Sequence, residues 1–133
     1  MFNFFKRKSK QEAAPIGPDF SDVDSAQKAE GLFRAGQLEK LFLLPLAFGG
    51  EDAPQNVLYV PIGVAGAKDG IDENVIGPLA QEGKISQYKA EPEYQGSSFV
   101  PIALKITAWE PGQFTTTINI WGEALSRGQN TNR

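Results

Sequence analysis

Histidine and cysteine are both absent from the 133 residues of this chain. Without imidazole the commonest proton carrier near neutral pH is missing; without thiol, so are the strongest neutral-pH nucleophile and the soft metal ligand. Neither a serine–histidine nor a cysteine–histidine pair can form, and no disulfide can. These gaps remove the commonest enzyme chemistries together, and the chain is expected to hold no cofactor and no metal. A cysteine-free chain agrees with a reducing compartment, so the cytoplasm is the expected location.

Apolar residues make up 41% of the chain and charged residues 22%, a globular balance rather than a disordered or collagenous one. The length suits one domain with a sizeable core. The net charge of −3 conceals an asymmetry. Lys6, Arg7, Lys8 and Lys10 put four bases and no acid in the first ten residues, which leaves nine bases against sixteen acids, a balance of −7, in the remainder. A body this acidic repels phosphate backbones, so no nucleic acid is expected as ligand, whereas a basic protein surface is a suitable partner.

The first five residues, Met-Phe-Asn-Phe-Phe, run directly into the basic cluster. Charges that follow the apolar residues, with no apolar run of seven or more, argue against a secretory signal in this segment, and it is too short for a membrane span. One reading is a weak membrane-surface anchor, with Phe2, Phe4 and Phe5 entering the interface while Lys6, Arg7 and Lys8 meet anionic lipid. The other is a frayed tail. Pro15, Gly17 and Pro18 then mark a linker. The expected organisation is a basic tail and linker over 1–19, one α+β domain over 20–125 and a loose tail over 126–133.

Within the domain, Ser21, Asp22, Asp24 and Ser25 stand ahead of Val23, Ala26, Ala29, Leu32 and Phe33 at helical spacing. They predict a helix ending at Ala35, with Gly36 in the left-handed position. The second half of the apolar run Leu38–Leu46 reads as a strand buried on both faces and closed by Pro45, and Val57–Ile62 as extended structure, with Pro61 at a sheet edge. Gly63, Gly66 and Gly70 read as a loop before a second helix over Ile71–Glu82, kinked or split near Gly77 by Pro78. Ile85–Ala90 is a short strand candidate. Val100, Ile102, Leu104, Ile106 and Ala108 alternate with Lys105 and Thr107, and Phe114, Ile118 and Ile120 with Thr115, Thr117 and Asn119, so two strands share one buried face. A two-residue loop at Pro111-Gly112 would turn one apolar row to water, which predicts a loop of three or five residues or a bulge. The fold class is α+β: two helices on a mainly antiparallel four- or five-stranded sheet that ends in a C-terminal β-hairpin.

Candidate chemistry is thin. Gly63-Val64-Ala65-Gly66-Ala67-Lys68-Asp69-Gly70 lies in the order of a phosphate-binding loop, yet Ala67 and Asp69 stand where that loop needs a glycine and a hydroxyl, so a helix-capping turn accounts for it better. Asp69, Asp72, Glu73 and Asn74 could attract a hard cation, but their spacing is not that of a calcium loop and acids at a helix start explain them. Glu91, Glu93 and Glu110 are the candidates for paired-carboxylate catalysis, which would require desolvation of one of them. Ser97 and Ser98 have no histidine to activate them and suit a turn. The most informative candidates are Trp109 and Trp121, on the odd-numbered, threonine-rich side of the last two strands: either they anchor a partner there, or a helix covers that side and they pack.

The runs Leu-Phe-Leu-Leu-Pro-Leu-Ala-Phe-Gly-Gly, Leu-Tyr-Val-Pro-Ile-Gly and Phe-Val-Pro-Ile-Ala-Leu-Lys-Ile, with the opening Phe-Asn-Phe-Phe-Lys-Arg-Lys, resemble small uncharacterised bacterial α+β proteins, some of them similar to immunity proteins of polymorphic toxin systems. That resemblance implies non-catalytic capture of a toxin domain by an acidic surface and assigns no individual residue. The expectation is a cytoplasmic protein-binding module, partner contact falling on Trp109, Trp121, Glu51, Asp52, Glu91 and Glu93, the aromatics anchoring and the acids steering. A small hydrolase or lyase using paired carboxylates and a membrane-peripheral accessory protein held by residues 1–10 are the alternatives. A homodimer is open too, since Pro45 and Pro61 leave a sheet edge imperfectly protected.

Overall fold

A computed structural model describes residues 17–127; Phe2, Phe4, Phe5, Lys6, Arg7 and Lys8, proposed for membrane contact, lie outside the described residues. Helix α1 spans Ala26–Arg34. Extended Ser25 caps it, its Oγ accepting the Lys28 N–H at 3.1 Å. It stops where Gly36 takes φ +81° and Gln37 donates back to the Leu32 carbonyl at 2.8 Å.

Strand β1 (Leu38–Phe42) pairs antiparallel with β2 (Val57–Pro61), Leu38 opposite Pro61 and Phe42 opposite Val57. The apolar run therefore leaves the sheet at Phe42, before Pro45, which caps a 3-10 turn over Leu46–Phe48. The connecting loop closes on Asn56, whose side chain accepts from the Leu44 N–H at 2.8 Å and donates to the carbonyls of Leu44 and Glu51, both at 2.9 Å. Gly50 runs so near this hub that a Cβ there would lie 1.9 Å from the Leu44 oxygen. Asn56→Ala strands three backbone groups and is expected to cost about 1–3 kcal/mol, read as a lowered urea midpoint at unchanged slope.

The second helical segment starts earlier than its glycines suggest. Helix α2 covers Val64–Ile71, a π turn covers Asp72–Ile76 and α3 covers Gly77–Gln81 without interruption. Gly66 and Gly70 are thus helical, and only Gly63, at φ +104°, is a turn residue. The place a phosphate would take is filled from within: Glu39 of β1 accepts the N–H groups of Gly63 at 2.8 Å and Ala65 at 3.0 Å. Pro78 neither splits the helix nor ends it. In an α-helix its ring would press on the Asn74 carbonyl; here the turn before it widens, and the Gly77 N–H reaches the Asp72 carbonyl five residues back.

Strands β3 (Gln87–Glu93), β4 (Ala103–Trp109) and β5 (Gln113–Asn119) form a second antiparallel sheet in that order. The five strands divide into sheets of two and three, correcting the expectation of one continuous sheet. Three residues, Glu110–Gly112, join β4 to β5, and Leu104 faces Ile118 while Ala108 faces Phe114. Even-numbered residues of this sheet point inward; Leu104, Ile106 and Ala108 are completely buried. They share one core with Leu38, Leu41 and Val60 of the first sheet and with Ala29 and Ile76 of the helices. The architecture is α+β. No helix among the described residues is long and apolar enough to cross a membrane.

Candidate functional site

With the even face in the core, the odd face of β3–β5 carries the side chains that the domain leaves outside. Lys105, Thr115 and Thr117 are exposed and Trp109 is half-buried. The register sets Gln87 against Trp109, Glu91 against Lys105 and Thr107 against Thr115. Trp109 therefore sits at the hairpin end of the face, with the Lys89 ammonium 5.8 Å from its ring centroid. Glu91 lies 3.6 Å from Lys89. Glu93 receives a two-pronged contact from Arg127, at 2.9 and 2.7 Å, which ties down a residue expected in a loose tail. Hydrogen bonding from Arg127 holds the Glu93 carboxyl below its ordinary value, and Glu93 in turn raises the guanidinium.

The structure thus brings Trp109, Glu91 and Glu93 onto one surface. It separates the other three sequence candidates from them. Trp121 is 1% exposed: its indole N–H donates to the Val100 carbonyl at 2.9 Å and its ring meets Phe20 edge-on at 5.8 Å. It is a core residue and presents nothing to a partner. Glu51 and Asp52 are exposed on the β1–β2 connection. Asp52 pairs with Lys40 at 3.1 Å on the rim of a groove of about 420 Å³, lined by Ala29, Lys40, Tyr59, Tyr94 and Phe99. Tyr94 and Phe99 are the exposed aromatics of that groove, at 44% and 47%.

Neither carboxylate pairing nor hydroxyl chemistry gains support from this geometry. Glu91 and Glu93 are about half exposed and each is matched to a cation, so neither is desolvated as a general acid must be. Ser98 is buried in a turn, donating to the Phe20 carbonyl and accepting the Val100 N–H. Asp69, Glu73 and Asn74 point to solvent while Asp72 is buried, and no group of three or more acids poised around a metal position occurs among the described residues.

Sequence reasoning missed a buried cluster of charged and polar side chains. Lys68 and Asp72 are 2% exposed, their charged atoms 2.6 Å apart, and the Tyr88 hydroxyl donates to the other Asp72 oxygen at 2.9 Å. Lys68 also stands 5.3 Å from the Tyr88 ring centroid. Burial pulls the Lys68 ammonium below its ordinary value against the hold of Asp72, and burial together with that carboxylate pushes the Tyr88 hydroxyl well up. The spacing of four residues on one helix was the available signal. A cavity of about 250 Å³ opens beside Tyr88, but Leu44, Phe48, Ile76 and Ile85 line it and the ammonium and carboxylate do not. The cluster joins helix to sheet and lies out of reach of a substrate.

Comparison with family profiles, with characterised proteins and with solved structures finds no match.

Proposed function

We propose that this chain is a non-catalytic cytoplasmic protein-binding module, immunity-like in kind, that captures a protein partner on the odd face of β3–β5. Trp109 is the anchor, Glu91 and Glu93 fix orientation, and the acidic excess beyond residue 10 favours a basic partner domain. The observation that carries the reading is a large aromatic left half-buried on an uncovered sheet face. Mixed charges at the rim and neutral hydroxyls between them suit a polar, specific contact better than a greasy one.

The test uses a photo-crosslinking amino acid at exposed Thr117 in the producing cell. A discrete adduct with a second protein species is expected, weakened by Trp109→Ala to an extent matching a loss of about 2 kcal/mol in affinity, roughly thirtyfold. Absence of any such adduct, or adducts indifferent to Trp109→Ala, overturns the proposal.

A further inference from the structure

The outer edge of β5 carries a second, independent inference. Two bonds fix which residues face outward: Glu110 donates to the Gly112 carbonyl at 2.8 Å and Ile120 to the Ile102 carbonyl at 2.7 Å. Even-numbered pairs are therefore the hydrogen-bonded ones between β4 and β5, and the backbone N–H and C=O groups of Gln113, Thr115, Thr117 and Asn119 point away from the sheet. Among the described residues none of these groups has a partner.

Exposed edges are ordinarily blunted by charge, proline or a bulge. The opposite edge obeys that rule: β3 carries Lys89, Glu91 and Glu93, and its outward positions include Pro92, which has no N–H to offer. Strand β5, Gln-Phe-Thr-Thr-Thr-Ile-Asn, has none of these devices. It is rich in β-branched residues and bears no charge at all in a chain of net charge −3.

The order of residues says what the edge fits. Read outward from Thr116, β5 has the same chemistry in both directions: threonine, then an apolar residue, then a side-chain amide. An antiparallel copy centred on Thr116 would set Thr115 against Thr117, Phe114 against Ile118 and Gln113 against Asn119. Aromatic–β-branched and threonine–threonine pairs are favourable across antiparallel strands, and no like charges meet. The outward groups fall into the hydrogen-bonded positions of that register, giving about eight N–H···O bonds at two per pair. Phe114 and Ile118, half-buried at the sheet margin, would each gain a neighbour. We infer that β5 is a self-recognition edge, through which two copies of this chain join their three-stranded sheets across a two-fold axis at Thr116.

Because the chain contains no cysteine, a single introduced thiol reports on that axis. Thr116 would face its own copy in a non-hydrogen-bonded pair, with Cα atoms about 4.5 Å apart, a separation a disulfide bridges. Under mild oxidation Thr116→Cys should cross-link to a dimer roughly tenfold faster or more than Lys105→Cys, an exposed mid-sheet control. Sedimentation equilibrium should show the unmodified full chain as a dimer at about 100 μM. Thr115→Lys with Thr117→Lys, which sets lysine against lysine, should sediment as a monomer with an unchanged circular dichroism spectrum, and mixing it with Thr115→Glu plus Thr117→Glu should restore the dimer. A monomeric wild-type chain, a lysine variant that remains dimeric, or cross-linking of Thr116→Cys no faster than the control overturns the inference. Adducts to another protein in the cell bear on the proposed function alone, so the two can fail separately.

Discussion

Replacing Asp72 by alanine is expected to remove about 3–5 kcal/mol of unfolding free energy, because Lys68 would stay buried with its ion-pair carboxylate gone. Tyr88 would lose its acceptor in the same step. The loss reflects an orphaned charge rather than the net worth of the pair. Lys68→Met with Asp72→Leu and Tyr88→Phe, which removes all three polar ends, should therefore recover most or all of it. The cluster's titration gives a second readout. Lys68 has a folded-state pKa below the ordinary 10.5, so between the two values the unfolded chain binds more protons and stability rises with pH across that interval. Tyr88 acts in the other direction: its folded-state pKa lies above the ordinary 10.0, and from about pH 10 upward the unfolded chain releases a proton that the folded one keeps, so stability falls. Urea unfolding between pH 7 and pH 11 should show a rise followed by a fall, and Lys68→Met should abolish the rise. A flat profile in the parent chain would mean that the ammonium is hydrated in solution.

Which parts of this fold could be read from the residues follows from how local their causes are. Helix α1 was legible because its signals are local: Ser25 at its cap, Gly36 beyond its end and apolar residues on one stripe. The same is true of β4, where strict alternation from Leu104 to Ala108 has one interpretation. The second helix was misplaced by seven residues at its start because Gly66 and Gly70 cost only about 1 kcal/mol each in a helix, an amount that the Glu39 cap and packing of Ala65 and Ile71 against the core offset. No local signal separates the strands into two sheets; that depends on which edges the core brings together. Lys68 and Asp72 had the correct spacing in plain view, but partners four apart on a helix are usually solvated, and only tertiary packing buries them.

Trp109 and Trp121 share a parity and a strand neighbourhood, so alternation alone assigns them one fate. The chain separates them because β5 ends at Asn119. Ile120 and Trp121 both direct their N–H groups to the Ile102 carbonyl, at 2.7 and 3.3 Å, and this pinch breaks the alternation and buries two consecutive residues. Trp121→Ala is accordingly expected to cost about 3–5 kcal/mol, through the cavity it leaves beside Phe20 and the loss of a donor to the buried Val100 carbonyl. Its melting temperature should drop by about ten degrees or more. Trp109→Ala, on the open face, should cost less than about 1 kcal/mol in stability while abolishing most partner capture. The pair forms a control within one chain: the same substitution at two tryptophans twelve residues apart, one closing β4 and one just past β5, with opposite consequences for folding and for binding. If Trp109→Ala melted as early as Trp121→Ala, the odd face would be a structural surface whose cover lies elsewhere in the chain, and the docking role would have to move to the groove between Lys40, Tyr94 and Phe99.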